Sequence, residues 1–278
     1  METLIDEQVT TRPDHADAHG DALQGWRLEA CWASCEEDVR AAQKLRYRVF
    51  VEEMGARPRN AEAQSDRVEA DRYDDFCDHL LVRAFPPGDG TPGIVVGTYR
   101  VMGPAAALRA GGLYSDTEFD LAPLARLRAR AVELGRSCVH PGWRSGAVIM
   151  ALWTALGYYM FERGLDTMIG CASISLANGR NDVQRLWRML RQNYLAAPEW
   201  QVCPRLPLLP DDDSERRHAP RPDSPPPDAP PLIKGYLRCG ARVLGPPAFD
   251  AAFNTADLPM MLRVTELSPR YRRHFMGR

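Results

Sequence analysis

The chain has 278 residues, 35 Lys and Arg against 37 Asp and Glu, a formal net charge of −2, and 45% hydrophobic residues. That fits one large domain or a domain and a half, long enough for a substantial core, and the charge balance gives no global pull toward nucleic acid. Seven cysteines, an odd number with no CxxC and no His/Cys cluster at ligand spacing, argue against a disulfide framework or a metal site.

Residues 1–25 are polar and acidic, with no basic n-region or apolar h-region, and are expected to form a disordered N-terminal tail rather than a signal peptide. Residues 26–31 predict a strand. Ser34 with Glu37 then reads as a capping box opening a helix that runs to about Met54. Val39, Leu45, Val49 and Phe50 form its apolar face, with Arg46 and Arg48 in its last turns. Residues 58–69 are polar and irregular. The acidic stretch 71–79 precedes a strand over 79–85, and Pro86-Pro87-Gly88-Asp89-Gly90 closes a hairpin onto a strand over 94–102. Residues 103–124 predict a helix and loops.

Ala131, Val132, Leu134, Cys138 and Val139 make a half-buried strand interrupted by Gly135 and Arg136. A lone Gly there signals a bulge or a close backbone approach. His140 to Gly146 forms a polar turn. The apolar run 147–161 is shorter than the roughly 18–20 residues a membrane span requires, so it predicts a buried core helix. Residues 165–173 read as a second buried strand, in which Cys171, like Cys138 before it, is a core residue rather than a nucleophile. A helix follows over 181–192. Residues 198–231 hold eleven of the 23 prolines, and about 204–231 is expected to be an exposed insertion. Residues 232–237 and 258–264 read as strands, and 270–278 form a basic tail. Within 121–200 Arg outnumbers acidic residues two to one, which suits either an acidic partner or a solvated helix face. The order predicts one α/β (α+β) domain over 26–275 with a mixed, mostly antiparallel sheet and a bulged central strand.

The block from the bulged strand through its turn into the helix resembles the cofactor-cradling core of the GNAT superfamily of acyltransferases. Leu45-Arg46-Tyr47-Arg48-Val49-Phe50, Asp71-Arg72-Tyr73-Asp74, Gly97-Thr98-Tyr99-Arg100 and Glu133-Leu134-Gly135-Arg136 are similar, in order and spacing, to the signature of acyl-homoserine-lactone synthases. Where those enzymes carry a Trp after the first helix, this chain has Met54-Gly55-Ala56. Gly135 to Val139, Gly170-Cys171-Ala172-Ser173 and residues 232–238 instead resemble the L-ornithine Nα-acyltransferases. The likeness implies transfer of a 3-hydroxyacyl chain from acyl carrier protein to the α-amino group of L-ornithine, giving lyso-ornithine lipid. It also implies a cytoplasmic enzyme with no resident cofactor, the phosphopantetheine arriving on the carrier protein.

Thioester aminolysis requires a neutral amine, and a carboxylate that takes its proton raises the reactive fraction. Glu133 is the candidate base; the competing reading makes it an ion-pair partner of Arg136 or Arg100. Backbone amides near Cys138, Val139 and His140 are candidates for stabilising the oxyanion. Arg144, Ser145 and Gly146, at the start of the apolar helix, are candidates for the phosphopantetheine phosphate. They keep only part of the usual GNAT turn pattern, which suits a carrier-protein donor. Arg46, Arg100 and Arg136 can supply a guanidinium fork for the ornithine carboxylate, with Asp71 and Asp74 for its ammonium. Alternatively Arg46, Asp71 and Asp74 form a structural network pinning the first helix. Tyr194 is a weaker candidate for a general acid, and His79 and His140 are read as structural. Two other functions stay open: lactone synthesis from S-adenosylmethionine, and a non-catalytic module that binds acyl carrier protein or an anionic membrane surface. A lipid product also suggests peripheral contact with the inner membrane through the basic tail.

Overall fold

A computed structural model of the chain describes residues 10–11, 25–57, 61–88, 92–144, 146–177, 179–208 and 229–267. The basic tail, Ser145, most of the N-terminal tail and residues 209–228 of the proline-rich insertion lie outside the described residues. In chain order the elements begin with β1 (Thr10–Thr11), β2 (Arg27–Trp32), α1 (Glu36–Arg46) and a π-helix over Tyr47–Glu53. There follow α2 (Ala61–Asp66), β3 (Asp78–Phe85), β4 (Ile94–Met102), α3 (Pro104–Arg109), α4 (Ser115–Glu118) and β5 (Phe119–Asp120). The middle of the chain supplies β6 (Ala131–Val139), α5 (Gly146–Glu162), β7 (Thr167–Ser175) and α6 (Arg180–Tyr194). The last elements are β8 (Cys203–Pro204), α7 (Pro231–Cys239), β9 (Arg242–Val243), β10 (Ala248–Asp250) and β11 (Thr255–Arg263).

The chain divides into two compact units, one drawn from residues 1–101 with 135–163 and the other from 102–134 with 164–278. In the first, β1, β2, β3 and β4 pair antiparallel in sequence order, and the second half of β6 ends with His140 N–H donating to Val96 O at 2.8 Å. Helix α5 lies on β2 and β3 because almost every position on it is apolar, so its packed face needs no amphipathic pattern. Val148, Leu152, Leu156, Tyr159 and Met160 of the helix are buried, as are Leu80 and Val82, which share one face of β3. Trp32 packs on the Tyr159 ring at 4.8 Å, and Tyr159 donates to Asp78 at 2.8 Å. None of the described helices is long and apolar enough to cross a membrane.

In the second unit the first half of β6 runs parallel to β7, and β7 pairs antiparallel with β11 over its whole length. Strands β10 and β9 each pair with β11. The mixed, mostly antiparallel sheet expected from the sequence is thus present. Val183, Leu186, Trp187 and Leu190 of α6 and Ile233 of α7 form one buried cluster with Ala172, Val243 and Leu258.

Four local readings change. Residues 232–237, expected as a strand, form helix α7: Pro231 occupies its first turn, where a missing N–H costs nothing, and Gly240 ends it in the left-handed region at φ 110°. The first helix does not stay α to Met54 but widens into a π-helix after Arg46. Its N-terminus is closed by Asp38, not Glu37, which accepts from Ser34 N at 3.0 Å and Ser34 Oγ at 3.3 Å. The residue of β6 in the left-handed region is Arg136 (φ 50°), one position after the glycine that signals it.

Candidate active site

In the first unit, Arg46, Arg100 and Arg136 meet Glu69, Asp71 and Asp74, three guanidiniums against three carboxylates. Arg46 is 1% exposed. Its Nε donates to Glu69 Oε2 at 2.7 Å, its two terminal nitrogens take Asp74 bidentately at 2.6 and 2.8 Å, and Nη2 also donates to the Glu69 carbonyl. Arg100 donates to Asp71 at 2.5 Å, and Arg136 bridges Glu69 at 3.1 Å and Asp71 at 3.0 Å. The acidic loop also bonds to itself: Asp71 Oδ1 accepts from Tyr73 N at 2.8 Å and Asp74 Oδ2 from Asp71 N at 2.7 Å. Burial opposes the charges on Asp71 and Asp74. Arg100 and Arg136 outweigh it at Asp71, and Arg46 with Arg100 at Asp74, so both carboxyls sit below the usual carboxylate range. Burial also pushes Arg46 down, but Glu69 and Asp74 reverse that and raise it. His79 donates from Nε2 to the Asp74 carbonyl at 3.1 Å, and burial pushes its imidazole below the ordinary range. The five arginine and aspartate candidates are therefore brought together, paired with one another and with Glu69.

In the same unit Cys138 is buried against Leu45 and Val49, and burial holds its thiol well above the ordinary range, so it offers a backbone rather than a nucleophile. The His140 amide, one of the expected oxyanion donors, is taken by Val96 O, which leaves those of Cys138 and Val139 as candidates. Arg144, half exposed at the entry to α5, pairs with Glu53 at 2.6 Å. His140, beside Arg48 and Arg144, is lowered mainly by burial, and its Nδ1 accepts from Gly142 N at 3.1 Å.

In the second unit Glu133 is 5% exposed. Its Oε2 accepts Tyr114 N at 2.7 Å, and its Oε1 accepts both Ser115 N at 2.7 Å and Ser115 Oγ at 2.5 Å. Parallel pairing of β6 with β7 runs from Ala131–Thr167 to Glu133–Ile169, the last matched pair. Just beyond, a Cβ on Gly170 would stand 2.2 Å from the Leu134 carbonyl oxygen, so the close approach permits no side chain. Cys171 follows, partly exposed, with Sγ 3.5 Å from Ser115 Oγ. Glu118, at the end of α4, has its carboxyl pushed up to about 7, first by burial and then by Asp257 and Asp250. Tyr114 Oη donates to Asp250 at 3.1 Å, and Thr255 Oγ1 to Asp257 at 2.9 Å. Tyr194 packs against the buried cluster of α6 and α7. Among the described residues no group of three or more His, Cys, Asp and Glu is placed to hold a metal ion.

Three of these residues were not singled out from the sequence. Glu69 lies in a polar stretch, where an acid that ties two arginines looks like any solvated one; its only signal is the Glu69-x-Asp71-x-x-Asp74 spacing. Ser115 and Glu118 belong to a short helix whose partners come from β6, β10 and β11, which local pattern does not reveal.

The family model described as an acetyltransferase (GNAT) domain matches residues 45–154. An L-ornithine N(alpha)-acyltransferase of Agrobacterium fabrum is 38% identical over 252 residues, covering 90% of this chain and 85% of that protein. Another so named, from Brucella abortus, is 37% identical over 267 residues, covering 91% and 92%. The solved structure of the AHL synthase LasI aligns with a TM-score of 0.49 at 12% identity, covering 91% of this chain and 95% of that one. Matched at 37–38% identity to those two acyltransferases along nine-tenths of its length, the chain is an acyltransferase of the L-ornithine N(alpha)-acyltransferase family.

Proposed function

We propose that the chain moves a 3-hydroxyacyl group from acyl carrier protein to the α-amino group of L-ornithine, releasing lyso-ornithine lipid. The observation that carries this reading is the identity to relatives that bear that name, sustained across nine-tenths of the chain. Glu133 serves as the proton acceptor and the amides of Cys138 and Val139 as oxyanion donors. Arg100 and Arg136 face the substrate carboxylate, while Arg46, Asp71, Asp74 and Glu69 hold those two guanidiniums in place. Arg144, Ser145 and Gly146 take the phosphopantetheine phosphate, and Tyr194 returns a proton to the thiolate. No cofactor resides on the protein. The basic tail and the Arg surplus serve an acidic carrier protein and an anionic membrane surface.

Mass spectrometry of the product from ornithine with 3-hydroxyacyl carrier protein, and in a parallel tube with acyl-coenzyme A, tests the donor and acceptor together. The expected outcome is N-acylornithine from the carrier-protein tube. In a third tube with S-adenosylmethionine in place of ornithine, a lactone product would replace the reading with its sister activity. Glu133→Gln should lose about 10²-fold or more in kcat; a variant with full turnover moves the base elsewhere. Glu118 is the second reading for that base, because a carboxyl at about 7 is matched to neutral operation. Glu118→Gln then takes the larger loss.

A further inference from the structure

We propose that the hydroxyl of Ser115 is the group the acceptor amine meets, and that it passes the amine's proton on to Glu133. This rests on Glu133 being the base of the acyl transfer. Three donors already occupy its two oxygens, two of them backbone N–H groups at 2.7 Å fixed by the start of α4, and the side chain is 5% exposed. With three donors on it and so little of the side chain exposed, the carboxylate is hard for an amine to reach directly. Ser115 offers another route. A hydroxyl has one proton and two lone pairs, and the proton is committed to Glu133 Oε1 at 2.5 Å, the short end for an O–H to carboxylate bond. The lone pairs face the other way, toward Cys171, whose Sγ is 3.5 Å from Oγ. Burial holds that thiol well above its ordinary range, so it stays protonated and is the donor of the pair. A thiol is a weak donor, easily replaced by an ammonium. The thiol therefore marks the side of the Ser115 hydroxyl from which an ammonium would reach it, opposite the carboxylate.

The α-ammonium gives one proton to Ser115 Oγ while the serine's own proton crosses to Glu133 Oε1. The hydroxyl ends unchanged and the carboxyl neutral. The freed nitrogen pair attacks the thioester carbonyl. The C–N bond forms, the C–S bond breaks with its electron pair on sulfur, and a second nitrogen proton goes to that thiolate. Glu133 returns its proton to solvent by the same path.

Ser115→Ala keeps both backbone bonds to Glu133, so the protein stays folded while the relay is cut. In the ornithine assay with 3-hydroxyacyl carrier protein, kcat should fall about 10²-fold with the KM for ornithine little changed, and Ser115→Thr should restore most of it. Mixed H₂O/D₂O rates should give a curved proton inventory for the wild type and the Thr variant, two protons moving together, and a linear one for Ser115→Ala. Cys171→Ala should retain turnover. If Ser115→Ala melts lower but turns over at the wild-type rate, the hydroxyl only anchors Glu133 and the relay is wrong. If Glu133→Gln keeps full turnover, the base assignment fails first and takes the relay with it. Loss in Glu133→Gln alone refutes the relay and leaves the base standing.

Discussion

Arg46 shows what a single side chain can fix. It is the last residue of α1, 1% exposed, and it spans Glu69 and Asp74. A buried network of this kind adds little over a hydrophobic packing of the same volume, because desolvation offsets most of the Coulomb gain. Breaking it is different: Arg46→Gln leaves two carboxylates buried without their cation. The expected loss is about 3–5 kcal/mol, read as a lower urea midpoint at unchanged slope. Arg40, whose pair with Asp66 is nearly half exposed on both sides, is the comparison, and Arg40→Ala should cost about 0.2–1 kcal/mol. Equal losses at the two positions would mean that the buried set is no more coupled than a surface pair. Arg46, Arg100, Arg136, Asp71 and Asp74 were legible as a group from their motifs, because charges between apolar strand and helix residues need partners. Which of them pair was not legible, since Glu69 completes the set through a contact 23 residues from Arg46.

At the scale of the element, the approach of β7 to β6 decides where Glu133 and Cys171 stand. Gly170 would place a Cβ 2.2 Å from the Leu134 carbonyl oxygen, and backbone cannot swing aside as a side-chain tip can. Gly170→Ala must therefore move one strand. The expected cost is about 1–3 kcal/mol, and kcat should fall as well, since a shift of β6 moves Glu133 away from the Ser115 hydroxyl that it binds at 2.5 Å. Calorimetry beside a turnover assay checks both, and an unchanged melting temperature would show that the strands are not in contact there. The strand, turn, helix and strand around this point were readable from the sequence because mainly apolar runs are separated by a polar, Pro- and Gly-containing turn and a Gly stop. Helix α7 was not. Its Leu232-Ile233 and Tyr236-Leu237 pairs suit either period over so few residues, and only packing on the cluster with Trp187 and Val243 decides for a helix. The π-helix after Arg46 was equally hidden, since no local pattern marks where an α-helix widens.

For the molecule as a whole, net charge near zero leaves pH dependence to a few buried groups, and the two units pull in opposite directions. In the first, Asp71 and Asp74 titrate below their unfolded values. Their stabilising effect is complete above the unfolded carboxylate pKa of about 3.9 and is lost as pH falls through the lower folded values. His79, lowered by burial, adds to this from pH about 6.5 downward, because the unfolded chain binds its proton first. In the second unit Glu118 is raised from 4.5 to about 7. Between those values the folded chain keeps a proton that the unfolded chain has released, so this contribution falls as pH rises and is gone above about 7. Glutamine mimics the protonated acid. Glu118→Gln should therefore raise the melting temperature at pH 8, where the wild type must hold a charge against Asp257 and Asp250, and leave it close to wild type at pH 4.5. Melting curves of both proteins across that range make the comparison. The same gain at both ends, or none at pH 8, would mean that the three acids do not repel one another in the folded chain.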